Sequence, residues 1–172
     1  MLTEEIGVGR TLASYILDAG SLDEAAFCER HPRDVLVVEP YAMEEEPELS
    51  TAAGGHLTSG VPSVYPIESK EAHGMGDRIT IGRTGNNDVT IPASDVSKFH
   101  GYLTPAEGGG WNYTDADSTF GSRLNGQMLP PKRSTPISCG DRLRVASVDM
   151  TLYTPSGLYA YLMKVTRRGD AK

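Results

Sequence analysis

The 172-residue sequence is poor in metal ligands: it contains two cysteines, Cys28 and Cys139, and four scattered histidines. A zinc site requires Cys or His residues clustered at short spacing, so no metal site is predicted. The two cysteines lie far apart, and no secretory signal accompanies them. We therefore expect reduced, buried thiols rather than a disulfide, and a protein that carries no cofactor.

Long apolar stretches are also missing. No run approaches the roughly 20 residues that span a bilayer. The first ten residues are acidic and lack the basic and apolar regions of a signal peptide. A chain of 172 residues corresponds to about one domain that can bury its own core. We expect a soluble, cytoplasmic protein with no membrane partner.

An excess of positive charge is absent, since the net charge is −7. Twelve Asp and Glu against three Arg give residues 1–50 a net charge of −9. Eleven acidic and thirteen basic residues give residues 51–172 a net charge of +2. This distribution argues against a nucleic-acid partner, which needs a basic surface, but the second part is compatible with an anionic ligand.

Residues 1–40 are predicted to form a helical extension. Apolar residues recur at helical spacing over residues 4–19, and Gly20 fits the position after a helix. Ser21 and Glu24 have the spacing of a capping box for a second helix that ends near Arg30. The apolar run Val35–Val38 predicts a strand. Residues 41–60, with an acidic run and a Gly-rich stretch, are predicted to form a linker.

From residue 61 to residue 165 the pattern is typical of an all-β domain. Short apolar runs recur between turn residues, and several alternate polar and apolar positions. Leu158–Lys164 is predicted to be the last strand. Glu107–Gly110 and the pair Asn125-Gly126 are predicted hairpin turns, since both positions of Asn-Gly tolerate a positive φ. The prediction is a β-sandwich.

Motifs of catalysis are missing. The sequence has no G-x-x-x-x-G-K phosphate loop and no G-x-S-x-G elbow. Asp95, Ser97 and His100 lie in one short segment, whereas the members of a catalytic triad rarely come from a single loop. We therefore expect a binding protein and not an enzyme.

Several short motifs follow one another in an order that resembles the forkhead-associated (FHA) domain, of the bacterial type and with a short N-terminal extension. The resemblance covers roughly residues 61–165. It rests on five segments of the sequence: Ile81-Gly82-Arg83, Gly85–Val89, Val96–His100, Asp117–Gly126 and Cys139–Leu143.

The resemblance implies a β-sandwich of about eleven strands whose apical loops bind phosphothreonine peptides. Arg83 matches the family arginine, Ser97 the serine of the S-x-x-H motif, and Lys98 a frequent phosphate contact. Thr119 matches the loop residue before the family's Asn-Gly pair. The remaining matches imply structural roles: His100 braces the loops, and the others occupy turns or motif positions (Gly82, Gly121, Asn125, Gly126).

The sequence departs from the family at Phe120. The family has an asparagine there, which holds the backbone of the bound peptide. Phe120 has two interpretations: an exposed aromatic that contacts a partner, or a side chain packed inward because the peptide site has decayed.

The residue types support the same hypothesis on chemical grounds. A phosphate group is held best by charge-assisted hydrogen bonds, and the arginine guanidinium presents several N–H donors in a planar fork. Arg83 follows a short strand and enters a turn, where binding residues commonly lie. With Ser97, Lys98 and Thr119 it would form a small anion pocket.

The sequence thus predicts a non-enzymatic phosphothreonine-peptide binding module in intracellular signalling. Its expected partners are a phosphorylated protein and a Ser/Thr protein kinase. The alternative is an interaction scaffold that keeps the fold and binds without phosphate. Phe120 favours the scaffold, whereas Arg83, Ser97 and Lys98 favour phosphate binding.

Overall fold

The computed structural model describes residues 9–41, 60–70 and 76–169. Most of the predicted linker therefore lies outside the described residues. The described residues form three helices: α1 (Leu12–Ser21), α2 (Glu24–Arg30) and α3 (Pro155–Gly169). The strands are β1 (Arg10–Thr11), β2 (Val35–Val38), β3 (Ser63–Pro66), β4 (Ile79–Gly82), β5 (Val89–Thr90), β6 (Gly101–Pro105), β7 (Trp111–Asp115), β8 (Ser122–Leu124), β9 (Gln127–Met128), β10 (Thr135–Ile137), β11 (Arg142–Val145) and β12 (Val148–Tyr153).

The strands form two sheets. One has seven strands in the order β1-β3-β2-β12-β11-β8-β9, and the other has five in the order β10-β7-β6-β4-β5. Between the described strands, every pairing is antiparallel except that of β4 with β5. The predicted mainly-β sandwich is confirmed, with twelve described strands where about eleven were expected.

The core between the sheets follows from the alternation of side chains along each strand. In β11, Leu143 and Val145 are buried, whereas Arg142 and Arg144 point to the opposite, exposed face. The inward residues of both sheets join one apolar cluster, which includes Leu36, Ile81, Ile91, Leu103, Tyr113, Leu143 and Met150. Each of these side chains contributes about 1.5–3 kcal/mol through burial.

The helices cover part of the outer face of the seven-stranded sheet. Phe27 of α2 and two leucines of α3, Leu158 and Leu162, are completely buried there. They pack against Val35 and Val37, the outward residues of β2. Strand β2 is therefore buried on both faces, which explains its uninterrupted apolar sequence.

Strand β2 also bears on the predicted division of the chain. It is hydrogen-bonded between β3 and β12, so residues from the predicted extension lie inside the seven-stranded sheet. The helices before it pack on the same sheet. The boundaries at residues 40 and 61 remain a prediction, but the two parts share a sheet and a buried cluster.

The predicted capping box is wrong. Helix α1 continues to Ser21, whose hydroxyl donates to the Leu17 carbonyl at 2.9 Å. The cap of α2 is Asp23, whose carboxylate accepts from the backbone N–H of Ala26 at 2.8 Å. Because Ser21 belongs to α1, the N-cap of α2 lies two residues later, at Asp23.

The predicted strand at Leu158–Lys164 is also wrong, because this segment belongs to α3. Leu158 and Leu162 are four residues apart, and both are fully buried on one face of the helix. The apolar composition of the segment is compatible with a strand. The four-residue spacing of its buried leucines indicates a helix.

Both predicted hairpin turns are present. Asn125 and Gly126 join β8 to β9 with φ values of 48° and 86°, as a two-residue turn of this type requires. Glu107–Gly110 lies at the tip of the β6–β7 hairpin. In contrast, the expectation of buried cysteines is wrong: Cys28 is half-buried and Cys139 is exposed, although both thiols are free. None of the described helices is long and apolar enough to span a membrane.

Candidate functional site

Three loops meet at one end of the sandwich, here called the apical end. The first joins β4 to β5, the second joins β5 to β6, and the third joins β7 to β8. Arg83 lies in the first loop, Ser97 and Lys98 in the second, and Thr119 and Phe120 in the third. Residues far apart in the sequence therefore lie at the same end of the two sheets.

Arg83 is held against the second loop. Its backbone N–H donates to the Ser97 carbonyl at 3.0 Å. Its guanidinium donates through Nη1 to the Ser94 carbonyl, also at 3.0 Å. The side chain is half-exposed, and a guanidinium carries five N–H donors. Within the described parts of the chain, the Ser94 carbonyl is the one acceptor of the guanidinium, so most of its donors remain available to an anion.

Ser97 connects the second loop to the third. Its hydroxyl oxygen accepts from the backbone N–H of Thr119 at 3.2 Å. The side chains of Lys98 and Thr119 are exposed. The structure therefore brings Arg83, Ser97 and Thr119 together through direct contacts, with Lys98 next to Ser97 in the chain.

Gly82 is required by a close approach of the first two loops. A Cβ atom at this position would lie 2.3 Å from the backbone carbonyl oxygen of Lys98. The same carbonyl accepts from the buried side-chain amide of Asn87 at 2.7 Å and from the Thr84 hydroxyl at 3.1 Å. Sequence reasoning missed the role of Asn87, which fixes the position of Lys98.

His100 is completely buried and joins two loops through both ring nitrogens. Its Nδ1 accepts from the Ser97 backbone N–H at 3.1 Å, so its Nε2 carries the proton and donates to the Gly121 carbonyl at 3.1 Å. Burial lowers the pKa of His100 below its ordinary value, against the opposing effects of the Gly121 carbonyl and Asp115. His100 is therefore a neutral residue that holds the second and third loops together.

A second buried polar group supports the third loop. The Asp115 carboxylate accepts from the Ser118 backbone N–H at 2.9 Å, from the Ser118 hydroxyl at 2.7 Å, and from the Ser122 hydroxyl. Burial acts to raise the pKa of Asp115, but these hydrogen bonds outweigh it, and the pKa lies below its usual value. Ser122 accepts from the buried Tyr113 hydroxyl at 2.8 Å.

The first loop has a similar support. The Asp88 carboxylate accepts from the backbone N–H of Thr80 at 2.7 Å and from its hydroxyl at 2.9 Å. Lys70 donates through Nζ to the Gly85 carbonyl at 3.0 Å. These supporting residues were not identified from the sequence. In the sequence they are marked only as polar residues near a strand, and many surface residues occupy such positions.

Phe120 is exposed, with 63% of its surface accessible. It precedes Gly121, whose φ of 75° turns the chain back into β8. Met128 of β9 lies against Gly121 and is 54% exposed. Of the two interpretations of Phe120, the structure therefore favours the outward-facing aromatic.

Asn125 and Gly126 are not part of this end of the molecule. They lie at the opposite end of β8, where Asn125 accepts from the Arg142 backbone N–H at 2.9 Å and donates to Asp141 at 3.0 Å. Their role there is to hold a turn.

Among the described residues, no group of three or more His, Cys, Asp or Glu residues could hold a metal ion. The apical end instead presents hydroxyl, guanidinium and ammonium groups.

The sequence between residues 79 and 146 matches the family model of the FHA domain. The chain carries an FHA domain. This segment includes β4 to β11 and all three apical loops, so the motif order of the sequence and the observed loop arrangement agree with the family match. No curated protein sequence matches the chain.

A solved FHA domain shows the same fold. The N-terminal FHA domain of Rad53p from S. cerevisiae, in complex with a phosphothreonine peptide, has a TM-score of 0.51 and 16% identity. That match covers 75% of this chain and 98% of the other. EmbR of Mycobacterium tuberculosis, in complex with a low-affinity phosphopeptide, has a TM-score of 0.47 and 18% identity over 70% of this chain. The match spans 24% of the EmbR chain.

Proposed function

We propose that this protein binds phosphothreonine-containing peptides at the apical end of its FHA domain and acts in Ser/Thr kinase signalling. The observation that carries the proposal is the contact of the three loops. The Arg83 N–H meets the Ser97 carbonyl, and the Ser97 hydroxyl meets the Thr119 N–H. These contacts hold a guanidinium and two hydroxyl groups at one place. The Rad53p relative was solved with a phosphothreonine peptide, which supports the same assignment.

Each side chain has a defined role in this proposal. Phosphothreonine carries a charge of about −1.5 to −2, and Arg83 supplies the charge-assisted donors that such an anion requires. Lys98 adds a second positive charge, and the Ser97 hydroxyl adds a donor. Thr119 borders the place of the threonine methyl group, whose burial contributes about 1 kcal/mol in favour of phosphothreonine over phosphoserine.

The proposed role is binding and not catalysis. Arg83, Ser97, Lys98 and Thr119 recognise charge without supplying a nucleophile–base pair, and His100 uses both ring nitrogens in loop contacts. We also propose that the protein acts in the cytoplasm, where the Ser/Thr kinase that phosphorylates its partner would be found. The kinase need not contact the domain itself, because a phosphorylated partner is enough.

Calorimetry with a degenerate phosphothreonine peptide pool tests the proposal. Arg83→Ala should weaken binding at least tenfold, because hydrogen bonds from charged groups contribute about 1.5–3 kcal/mol each. Its matched control is Arg167→Ala, which removes an exposed arginine of α3. Unchanged affinity in Arg83→Ala would remove Arg83 from the site. The same pool without phosphate should not bind.

A second candidate function is a scaffold that binds partners without phosphate, and the exposure of Phe120 favours it. Phenylalanine can neither donate a hydrogen bond to a peptide backbone nor accept one from it, whereas asparagine can do both. Generic phosphopeptides should therefore bind weakly, since each missing hydrogen bond costs about 0.5–1.5 kcal/mol.

Two substitutions separate the candidates. Phe120→Asn should strengthen binding to generic phosphothreonine peptides, and Phe120→Ala should weaken binding to peptides that place an apolar residue beside the phosphothreonine. If neither wild type nor Phe120→Asn binds any phosphopeptide, the scaffold function replaces the phosphate-dependent one.

A further inference from the structure

The outer face of the seven-stranded sheet is divided into two halves. Over β3, β2 and the Tyr153 end of β12 it is apolar and covered by the helices. Over β11, β8 and β9 its outward residues are exposed and mostly charged. The second half, here called the arginine face, carries Arg123, Arg142 and Arg144, with Met128 beside them.

Strand register places these arginines close together. Arg144 of β11 lies directly opposite Arg123 of β8, and Met128 of β9 lies opposite Arg123 on the other side. Arg142 lies two residues from Arg144 on the same face of β11. Three cationic side chains therefore occupy two adjacent strands, which are about 4.8 Å apart.

The negative charge on this face does not balance the positive charge. Asp149 lies opposite Arg144 and pairs with it at 3.1 Å and with Arg142 at 2.9 Å. The Arg123 guanidinium donates to the Gly126 carbonyl at 3.4 Å and, among the described residues, meets no carboxylate. Counted over the described residues, the face has three positive charges and one negative charge, in a chain whose net charge is −7.

The Arg123–Arg144 pair does not serve the stability of the sheet. Like charges directly opposite one another on antiparallel strands are destabilising. Exposed strand positions accept threonine or glutamine without this cost, so a function outside the fold accounts better for Arg123 and Arg144.

We propose that the arginine face docks an acidic, extended segment of a partner protein, independently of phosphate. In an extended peptide, side chains two residues apart are separated by about 6.6–6.8 Å, the same repeat that separates Arg142 from Arg144. Carboxylates on alternate residues match guanidinium groups with this repeat, and they can accept from them bidentately. Met128 offers an apolar contact next to Arg123.

Charge complementarity favours a peptide over a nucleic acid. A nucleic-acid site needs a broad basic surface to overcome repulsion from the rest of the protein, and this face provides a net charge of about two in a strongly acidic chain. A segment with a few carboxylates needs only a small patch.

Fluorescence anisotropy of the full chain with a short, unphosphorylated peptide of alternating Glu and Ser tests the proposal. The matched control peptide has Gln in place of Glu. The Glu peptide should bind at low salt and be released towards about 0.5 M salt. Arg123→Gln and Arg144→Gln should each weaken it about fivefold or more. Arg167→Gln should not, and neither should Arg83→Ala, which disables only the apical site.

Several results would overturn the proposal. One is that the Glu and Gln peptides bind with equal affinity. Another is that Arg123→Gln and Arg144→Gln, in proteins that melt like the wild type, leave the affinity for the Glu peptide unchanged. Tighter binding of a single-stranded oligonucleotide than of the Glu peptide would assign the face to nucleic acid. Binding seen only after replacement of Glu44, Glu45, Glu46 and Glu48 by Gln would mean that the chain's own acidic run occupies the face.

Discussion

Replacement of His100 tests whether the apical loops are braced from inside the fold. His100 has no accessible surface, and its two nitrogens meet the Ser97 N–H and the Gly121 carbonyl. The Gly121 carbonyl also accepts from the Ala146 N–H at 3.1 Å. Loss of the imidazole therefore leaves Gly121 with one partner but deprives the Ser97 N–H of its acceptor.

The expected cost follows from these contacts. A buried donor without an acceptor costs about 1–3 kcal/mol. Deletion of a fully buried ring leaves a cavity, and comparable deletions to alanine cost about 3–5 kcal/mol in total. We expect His100→Ala to lower the free energy of unfolding by about 3–5 kcal/mol. His100→Gln keeps part of the volume and one polar contact, so about 1–2 kcal/mol is expected.

The lowered pKa of His100 gives the same residue a pH signature. Its pKa in the folded state lies below the unfolded value of 6.5, so the unfolded chain binds more protons in the interval between them. Stability contributed by neutral His100 is complete above about pH 6.5 and falls as the pH drops towards the folded-state pKa. His100→Gln should lack this part of the pH dependence.

Urea denaturation at neutral pH and at mildly acidic pH measures both effects. The difference between wild type and His100→Gln should shrink as the pH falls below 6.5, because the wild type loses its advantage. If the free energy of unfolding of His100→Ala lies within about 0.5 kcal/mol of the wild-type value, the bracing role is refuted. If the difference is independent of pH, the burial-induced shift is refuted.

Three further predictions concern the stability of the fold. Gly82→Ala should lower the free energy of unfolding by at least about 2 kcal/mol in a denaturation assay, because its Cβ would lie 2.3 Å from a carbonyl oxygen. The control, Gly85→Ala, places its Cβ in open space and should be neutral or stabilising. Leu158→Ala should cost about 2–5 kcal/mol in the same assay, and near-wild-type stability would show that α3 adds little to the fold. Arg123→Thr should raise stability by about 0.2–1 kcal/mol, since it relieves repulsion from Arg144; a decrease would contradict the cost assigned to this pair.

The elements that depend on local sequence were predictable. Asn125-Gly126 specifies its turn because both residues tolerate a positive φ, and the apolar run of β2 indicates a strand that is buried on both faces. The order of the FHA-like motifs predicted that Arg83, Ser97 and Thr119 lie near one another, and the structure brings them into contact. The hydrogen bonds that these residues make could not be predicted from the sequence and are known only from the structure.

The features that were missed depend on tertiary contacts. Leu158–Lys164 suits either a strand or a helix by composition, and burial of two leucines against the outer face of β2 decides for the helix. In the sequence, Asn87 looks like an ordinary loop residue, and Asp115 looks like an ordinary polar residue at the end of a strand. Their importance comes from burial and from partners that lie elsewhere in the chain. Periodicity carries no information about such contacts.

The structure also separates the groups that hold the apical loops from those that face solvent. Backbone atoms of Arg83, Ser97 and Lys98 make the loop contacts: the Arg83 N–H donates to the Ser97 carbonyl. The Ser97 N–H donates to His100, and the Lys98 carbonyl accepts from Asn87. Substitution of the Arg83 or Lys98 side chain should therefore affect binding with little change in stability, whereas substitution of Asn87 or His100 should change both. Ser97 lies between the two groups, because its hydroxyl also accepts from Thr119. If both side chains contact the proposed phosphopeptide, Ser97→Ala combined with Arg83→Ala should show coupling in peptide binding. Their effects on unfolding should be nearly additive, because the two side chains have no structural partner in common.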